Sequence, residues 1–315
     1  MEKMFVSLPL DIVFSGSVCY NKGNALHNHK HCLKGGAFPL RKMHITMKTL
    51  YLSDLDGTLL RSDEKTSDYT NITINELTKK GMFFSYATAR SVVTAKKVTA
   101  GITAKIPIIE HNGVSVRDSV TNEIIATNCF DGAVLNVLDD LFENGIYPIV
   151  YAFFDGKDKF SFVRSKCSKE QLGFVESRRG DIRTNEVYSP DDLKNGDVFY
   201  ITCIDEAGKL LPFYEKYKSL YRCLFQRNLY TGEQWLEIMP KYASKANAAV
   251  QLKNMLGCER LVVFGDGEND IDMFEAADEC YATANADDKL KEIATAVIGS
   301  NDEDAVARWL ADNFV

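Results

Sequence analysis

The sequence predicts an α/β protein with a doubly wound, parallel-sheet core and a second α/β region inserted into it. Three observations predict this. Short apolar runs at Leu50 to Ser53, Met82 to Ala87 and Arg260 to Phe264 each stop at once in a polar or Gly-bearing segment. Stretches with apolar residues at helical spacing follow them, the alternation expected of strand–helix–strand units. Finally, the stretch 128–230 is long enough for a domain of its own and carries a mixed strand and helix pattern.

The first run, Leu50-Tyr51-Leu52-Ser53, reads as a buried strand that ends at Asp54-Leu55-Asp56-Gly57-Thr58, where Gly57 turns the chain. Side chains alternate along a strand, so Asp54 and Asp56 are expected to address one substrate atom. Two neighbouring carboxylates tend to separate in pKa, which suits one ionised nucleophile and one acid/base. A helix is expected over Asn71 to Lys80, and the second strand brings Thr88 to its carboxyl end. A third strand over Ile106 to Ile109 precedes Asn112-Gly113 and a hairpin near Gly113 and Asn122. Ser244 reads as an N-cap, so Lys245 falls in the first turn of a helix that ends at Gly257. A cation there opposes the helix dipole, and a bound anion would remove the conflict. The last strand runs into Gly265-Asp266-Gly267-Glu268-Asn269-Asp270, whose carboxylates are hard oxygen donors of the kind Mg²⁺ prefers. Each segment alone has a plain alternative: an acidic turn, a capping hydroxyl, a solvated lysine, an acidic loop. Together they mark one site, because the carboxyl ends of doubly wound strands converge on one crevice.

These motifs resemble those of the haloacid dehalogenase superfamily, in particular Cof-type phosphatases of subclass IIB, over roughly Met47 to Val315. The D-x-D-G-T-L pattern is met by Asp54 to Leu59 and the Thr-x-Arg segment by Thr88-Ala89-Arg90, with Ala where Gly is common. The S-K segment is met by Ser244-Lys245 and G-D-G-x-N-D by Gly265 to Asp270. Softer matches are Asn112-Gly113, Asn285-Ala286 and Asn301 to Asp304. The resemblance implies a Rossmann-like core with an inserted α/β cap. It implies Asp54 as nucleophile through an aspartyl-phosphate and Asp56 as acid and then base. Mg²⁺ would be held by Asp54, the Asp56 backbone carbonyl, Asp266 and Asp270, the last through a water. Thr88, Lys245 and Asn269 would hold the phosphoryl oxygens. Asn112 and Arg90 are candidate contacts to the leaving group, with His111 beside them.

Motif spacing locates the insertion. Asp56 and Thr88 are 32 residues apart, which leaves room for a flap and one helix, whereas Thr88 and Lys245 are 157 apart. The expected division is a core of residues 47–127 and 231–315 and a cap of residues 128–230. Within the cap a helix is expected to end at Gly145, with strands over Tyr147–Phe154, Phe160–Arg164, Phe199–Ile204 and Cys223–Leu229 and a helix over Leu210–Tyr221.

Composition sets limits. Of the 315 residues, 45% are hydrophobic and 26% charged, ordinary for a soluble globular protein. Residues 1–46 carry six Lys/Arg and two Asp/Glu, which leaves 31 basic against 42 acidic residues, or −11, for the rest. So acidic a body argues against nucleic-acid binding. Eight cysteines are scattered without a C-x-x-C, as in a reducing cytoplasm. No run approaches the ~20 apolar residues that span a bilayer. Residues 1–46 lack a helical or strand period and read as a disordered extension or an upstream start-site artefact. Their His27, His29 and His31 lack the supporting ligands of a metal site.

The sequence thus reads as a Mg²⁺-dependent phosphatase of small phosphorylated metabolites, sugar phosphates first. A sugar-phosphate mutase would use the same four segments and differ in water access. A non-catalytic phosphometabolite sensor would be expected to lack one of the acids, and Asp54, Asp56, Asp266 and Asp270 are all present.

Overall fold

Thr49–Ser53 is a strand buried on both faces, as a continuous apolar run in a parallel sheet must be. It pairs in parallel with Phe83–Tyr86 on one side and Arg260–Gly265 on the other. The sheet continues through Glu279–Ala282 to Ala296–Val297. At the opposite edge a single parallel bridge from Ala87 to Ile109 attaches Ile108–Glu110. Counted along the chain, the spatial order is third, second, first, fourth, fifth, sixth, the doubly wound order. The computed structural model describes residues 47–103, 105, 107–227 and 233–314; the expected extension and its histidines lie outside them.

Alternation along the strands builds two cores. Leu50, Leu52 and Val263 pack with Ala248, Leu252 and Met273, so helices Lys245–Met255 and Ile271–Ala276 cover one face. Tyr51, Val262 and Phe264 pack with Ile74, Leu77, Val306 and Leu310, so Asp68–Lys79 and Ala305–Asn313 cover the other. Serine caps start the first helix on each face. Ser67 accepts from Thr70 N, and Ser244 from Asn247 N at 3.1 Å.

A second sheet has six strands in the order Arg222–Arg227, Gln234–Met239, Asp197–Asp205, Ile149–Phe154, Lys157–Val163 and Thr184–Val187. All pairings are antiparallel except the last. Helices Val134–Glu143 and Ala207–Tyr217 pack Val134, Leu138, Leu210 and Phe213 onto one face. Two features differ from expectation. Gln234–Met239 belongs to this sheet, beyond the expected limit at residue 230, because its ladder partner is the distant Asp197–Asp205. Thr184–Val187 is a half-exposed edge strand without the apolar alternation that would announce it. A third, three-stranded sheet holds the expected hairpin, Ser115–Arg117 with Ile124–Thr127.

Among the described residues no helix is long and apolar enough to cross a membrane. Cys129, Cys167, Cys203, Cys223, Cys258 and Cys280 are free thiols.

Leu52 is fully buried in the central strand. Leu52→Ala is expected to lower stability by about 2–5 kcal/mol, through lost transfer energy and a cavity, measured by urea unfolding.

Candidate active site

Strand register brings three of the four segments to one edge. Ser53 stands opposite Phe264 on one side and Tyr86 on the other, so Asp54, Gly265 and Ala87 emerge at the same level. The ladder runs one step further: Asp54 N donates to Phe264 O and Ala87 N to Ser53 O, both at 2.9 Å. Asp54 is thereby fixed by backbone bonds at the switch point between the two halves of the sheet, where its side chain is buried. Thr88 follows Ala87, fully buried, and its hydroxyl oxygen accepts from Arg90 N at 3.0 Å.

The loop after Asp54 closes on the fourth segment. Gly57 has φ +77°, and a Cβ there would stand 2.1 Å from Asp266 Oδ2. The Thr58 hydroxyl donates to Asp266 Oδ1 at 2.8 Å. The softer motif matches prove to be supports for this loop. Asn285 Nδ2 donates to Gly57 O at 2.8 Å and Asn301 Nδ2 to Leu60 O at 2.9 Å. Asp304 receives Arg61 Nε at 2.9 Å.

Lys245 is fully buried. Its Nζ donates to Asp54 Oδ1 at 2.5 Å and Asp270 Oδ1 at 2.7 Å, so the anions expected at this helix start are two carboxylates of the protein. The other oxygen of Asp270 accepts from the backbone N–H of Asp266 at 3.1 Å and of Gly267 at 3.2 Å. One oxygen each from Asp54, Asp266 and Asp270 lie within 4.8 Å of one another. Two carboxylates thus share one ammonium, with that of Asp266 close beside them. Burial pushes the Asp54 carboxyl up to about 8; Lys245 pulls it down, and Asp270 raises it further. Burial likewise lifts Asp266 to about 6, opposed by the Thr58 bond and helped by Asp270. Burial works against the Lys245 charge, but Asp54 and Asp270 outweigh it and hold the amine above its ordinary range. A converging, electron-rich set of hard oxygens with too little positive charge fits a divalent cation.

Asp56 lies outside this cluster. The expectation that Asp54 and Asp56 face one point assumes extended backbone through Leu55, but the chain leaves the strand at Asp54 and turns at Gly57. The Asp56 carboxylate is half-exposed and receives Arg90 Nε at 2.8 Å and Nη2 at 2.5 Å. Arg90 also donates to Glu64 at 3.1 Å. Arg90 therefore meets Asp56, a contact that sequence spacing did not indicate. Asn112 has φ +54°, its N–H donates to Thr88 O at 2.9 Å, and Asn269 Nδ2 reaches its side-chain oxygen at 3.5 Å. A Cβ on the adjacent Gly113 would stand 2.0 Å from Ser244 O, so this turn packs directly on the start of the Lys245 helix.

Residues 51–310 match the model of the haloacid dehalogenase-like hydrolases. Over 284 residues the chain is 27% identical to the 5-amino-6-(5-phospho-D-ribitylamino)uracil phosphatase YwtE of Bacillus subtilis, covering 82% of this chain and 95% of that one. A putative phosphatase of Buchnera aphidicola is also 27% identical, over 85% of this chain and 97% of its own. Among solved structures, TM0651 of Thermotoga maritima superposes with a TM-score of 0.70 at 23% identity, covering 85% of this chain and 98% of that one. The chain belongs to the haloacid dehalogenase-like hydrolase family. It is an enzyme with the fold of that family, and its relatives are named phosphatases.

Two outcomes follow from the packing. Gly57→Ala is expected to displace Asp266 and strain the turn, which would lower the melting temperature and weaken divalent-cation binding measured by calorimetry. The second concerns pH. Asp54 and Asp266 have folded pKa values above those of free carboxyls, so between about pH 4 and pH 8 the folded, cation-free protein holds more protons than the unfolded chain. Their contribution to stability is fully present at the acid end and is lost as pH rises through 6 and 8. Thermal unfolding in EDTA should therefore show stability falling over this window, with stabilisation by added Mg²⁺ growing as pH rises. Asp54→Asn should flatten the upper part of the window.

Proposed function

We propose that the protein is a Mg²⁺-dependent phosphatase of small phosphorylated metabolites, sugar phosphates among them, that works through an aspartyl-phosphate on Asp54. The observation that carries the reading is the buried Asp54–Lys245–Asp270 cluster with Asp266 beside it at the switch point of the sheet. Asp54, Asp266 and Asp270 supply side-chain donors for Mg²⁺, and the Asp56 carbonyl is a further candidate. When bound, the ion supplies positive charge to ionised carboxylates and to the phosphoryl oxygens.

In the first step an Asp54 carboxylate oxygen attacks phosphorus, and the bond from phosphorus to the leaving oxygen breaks. Asp56, released from Arg90 and protonated from solvent, gives that proton to the leaving oxygen. In the second step the Asp56 carboxylate takes a proton from water, whose oxygen attacks the same phosphorus and frees the Asp54 carboxylate and inorganic phosphate. Lys245 orients Asp54 and opposes the effect of burial on its carboxyl, and the amine's charge lies where the phosphoryl oxygens gather. The Thr88 hydroxyl and the Asn269 amide donate to those oxygens. Asn112 orients Asn269 and reaches the leaving group. A cavity of about 580 Å³, lined by Arg90, His111, Asn112 and residues of the six-stranded sheet, is of a size for a small metabolite. Residues 128–239 act as the lid over it. The −11 charge of residues 47–315 supports a small-molecule partner over nucleic acid.

Phosphate release from a panel of sugar phosphates, nucleotides and pyridoxal phosphate tests the reading. It is expected to require Mg²⁺, to vanish in EDTA and to vanish in Asp54→Asn. Asp56→Asn is expected to lower kcat by roughly 10²–10⁴-fold, the usual contribution of a positioned acid/base. Isomerised sugar phosphate without released phosphate would instead indicate a mutase.

A further inference from the structure

The face of the six-stranded sheet away from helices Val134–Glu143 and Ala207–Tyr217 is the floor of two adjoining cavities. Side chains alternate along Asp197–Asp205, so Ile201 and Cys203 point beneath the two helices, and Tyr200, Thr202 and Ile204 point the other way. Phe199 packs against His111 with ring centroids 4.9 Å apart, which puts the Tyr200 end of this strand at the core. Tyr200 and Thr202 line the 580 Å³ cavity that also holds Arg90 and Asn112. Ile204 lies beyond Thr202 by about 7 Å of extended strand. It lines a second cavity of about 750 Å³, together with Lys169, Glu170 and Gly173. The neighbouring strand has the same order, with Glu237 opposite Thr202 and Trp235 opposite Ile204.

Four residues line both cavities: Phe174, Ser177, Arg178 and Trp235. Residues shared by two cavities are the wall between them, so the sheet floor runs on beneath a ridge of side chains. Trp235 comes from the floor and meets the Phe174 ring edge to face, with centroids 5.4 Å apart and an interplanar angle of 68°. Phe174 comes from the helix Lys169–Glu176, whose start is tied to the sheet. Gln171 Nε2 donates to Tyr147 O at 2.8 Å and Ser168 Oγ to Ile204 O at 3.2 Å. Further along the helix, Val175 is buried with Phe160, Phe162 and Ile204, and Phe174 and Trp235 pack against that cluster. Arg178 lies 3.4 Å over the Phe174 ring and donates to Phe174 O at 3.2 Å. The ridge is therefore held by anchored backbone on both sides.

We propose that Phe174 and Trp235 set the greatest length of leaving group the site accepts, and that it takes phosphate esters of monosaccharide size. The proposal rests on the phosphatase reading. An ester whose phosphate meets Asp54 directs its leaving group past Arg90 and Asn112 onto Tyr151, Tyr200 and Thr202. One sugar ring has room in this stretch, and a second ring in line with it meets Phe174 and Trp235. Shortening Phe174 joins the two cavities and opens the outer one to longer esters.

The test measures kcat/KM of the full-length protein with Mg²⁺ for two pairs of esters that differ in length and little in chemistry. These are glucose 6-phosphate against maltose 6′-phosphate, and phenyl phosphate against 4-biphenylyl phosphate. The shorter ester of each pair is expected to be preferred by roughly tenfold or more, because a built clash discriminates against the longer one. Phe174→Ala is expected to raise kcat/KM for the longer esters by about tenfold and to leave the shorter ones within about twofold. Phe174→Leu, which keeps an apolar side chain on the helix, and Trp235→Leu are expected to shift the ratio in the same direction, and melting temperatures separate a widened site from a lost fold. Long esters cleaved as well as short ones, or all three variants changing both lengths by the same factor, would overturn the proposal. Release abolished by Asp54→Asn would in that case leave the phosphatase reading standing. No release from any of the four esters would overturn the phosphatase reading and this one with it.

Discussion

The buried ammonium of Lys245 is the interaction on which the rest of the site depends. It is fully shielded from solvent and bonded to Asp54 and Asp270, which come from different strands of the sheet. Ser244 sets its helix by capping Asn247, and the Asn112–Gly113 turn packs against that cap so closely that only glycine fits. An ion pair this deep is a poor source of stability, because desolvation offsets most of the attraction. Its value is positional. With three carboxylates and one amine close together, the cluster gathers negative charge in a place where water cannot dissipate it. Such an arrangement is costly without further positive charge, and its donor set fits a divalent cation.

The two candidate acids are held in opposite ways, and this suits the different work proposed for them. Asp54 continues the sheet ladder by one hydrogen bond and sits where no backbone freedom remains. A nucleophile gains from that, since attack needs one fixed line of approach. Asp56 stands on the loop beyond, half-exposed, tied to Arg90 and Glu64 at the surface. A group that gives a proton in one step and takes one in the next must exchange partners, and an exposed ion pair is cheap to exchange. The loop itself is anchored across the chain by Thr58 to Asp266, and by Asn285 and Asn301 to its carbonyls.

Much of this was legible in the sequence because buried strands and Gly-bearing turns leave local marks. The strands before Asp54, Thr88 and Asp266 were readable as apolar runs, and Ser244 as a cap. Their convergence followed from the doubly wound order alone. What was not legible depends on partners distant in sequence. The Asp56–Arg90 pair requires knowing how the chain turns after Asp54. The roles of Asn285, Asn301 and Asp304 as loop supports require knowing that the last helix returns beside the first turn. Gln234–Met239 alternates in a way that suits either sheet, and only its pairing with Asp197–Asp205 decides. Thr184–Val187 is polar, and its strand character comes from its neighbour Lys157–Val163 rather than from its own residues.

That last assignment changes how selection and chemistry are linked. Because Gln234–Met239 lies in the second sheet, the strand carrying Trp235 and Glu237 runs through Pro240 and a short turn into Ser244 and Lys245. Arg222 at the start of the neighbouring strand reinforces the junction, donating to Ala243 O at 3.2 Å and facing Asp272 at 3.3 Å. The wall that carries Trp235 and Glu237 is thus joined by a few residues of covalent chain to the helix start that holds the Lys245 ammonium. The same sheet is rigid on its far side, where two helices fill it with apolar side chains. Among the described residues, the sheet's unsatisfied polar side-chain atoms, on Thr202 and Trp235, lie on the cavity face. On this geometry the cavity wall and Lys245 are two ends of one structural element.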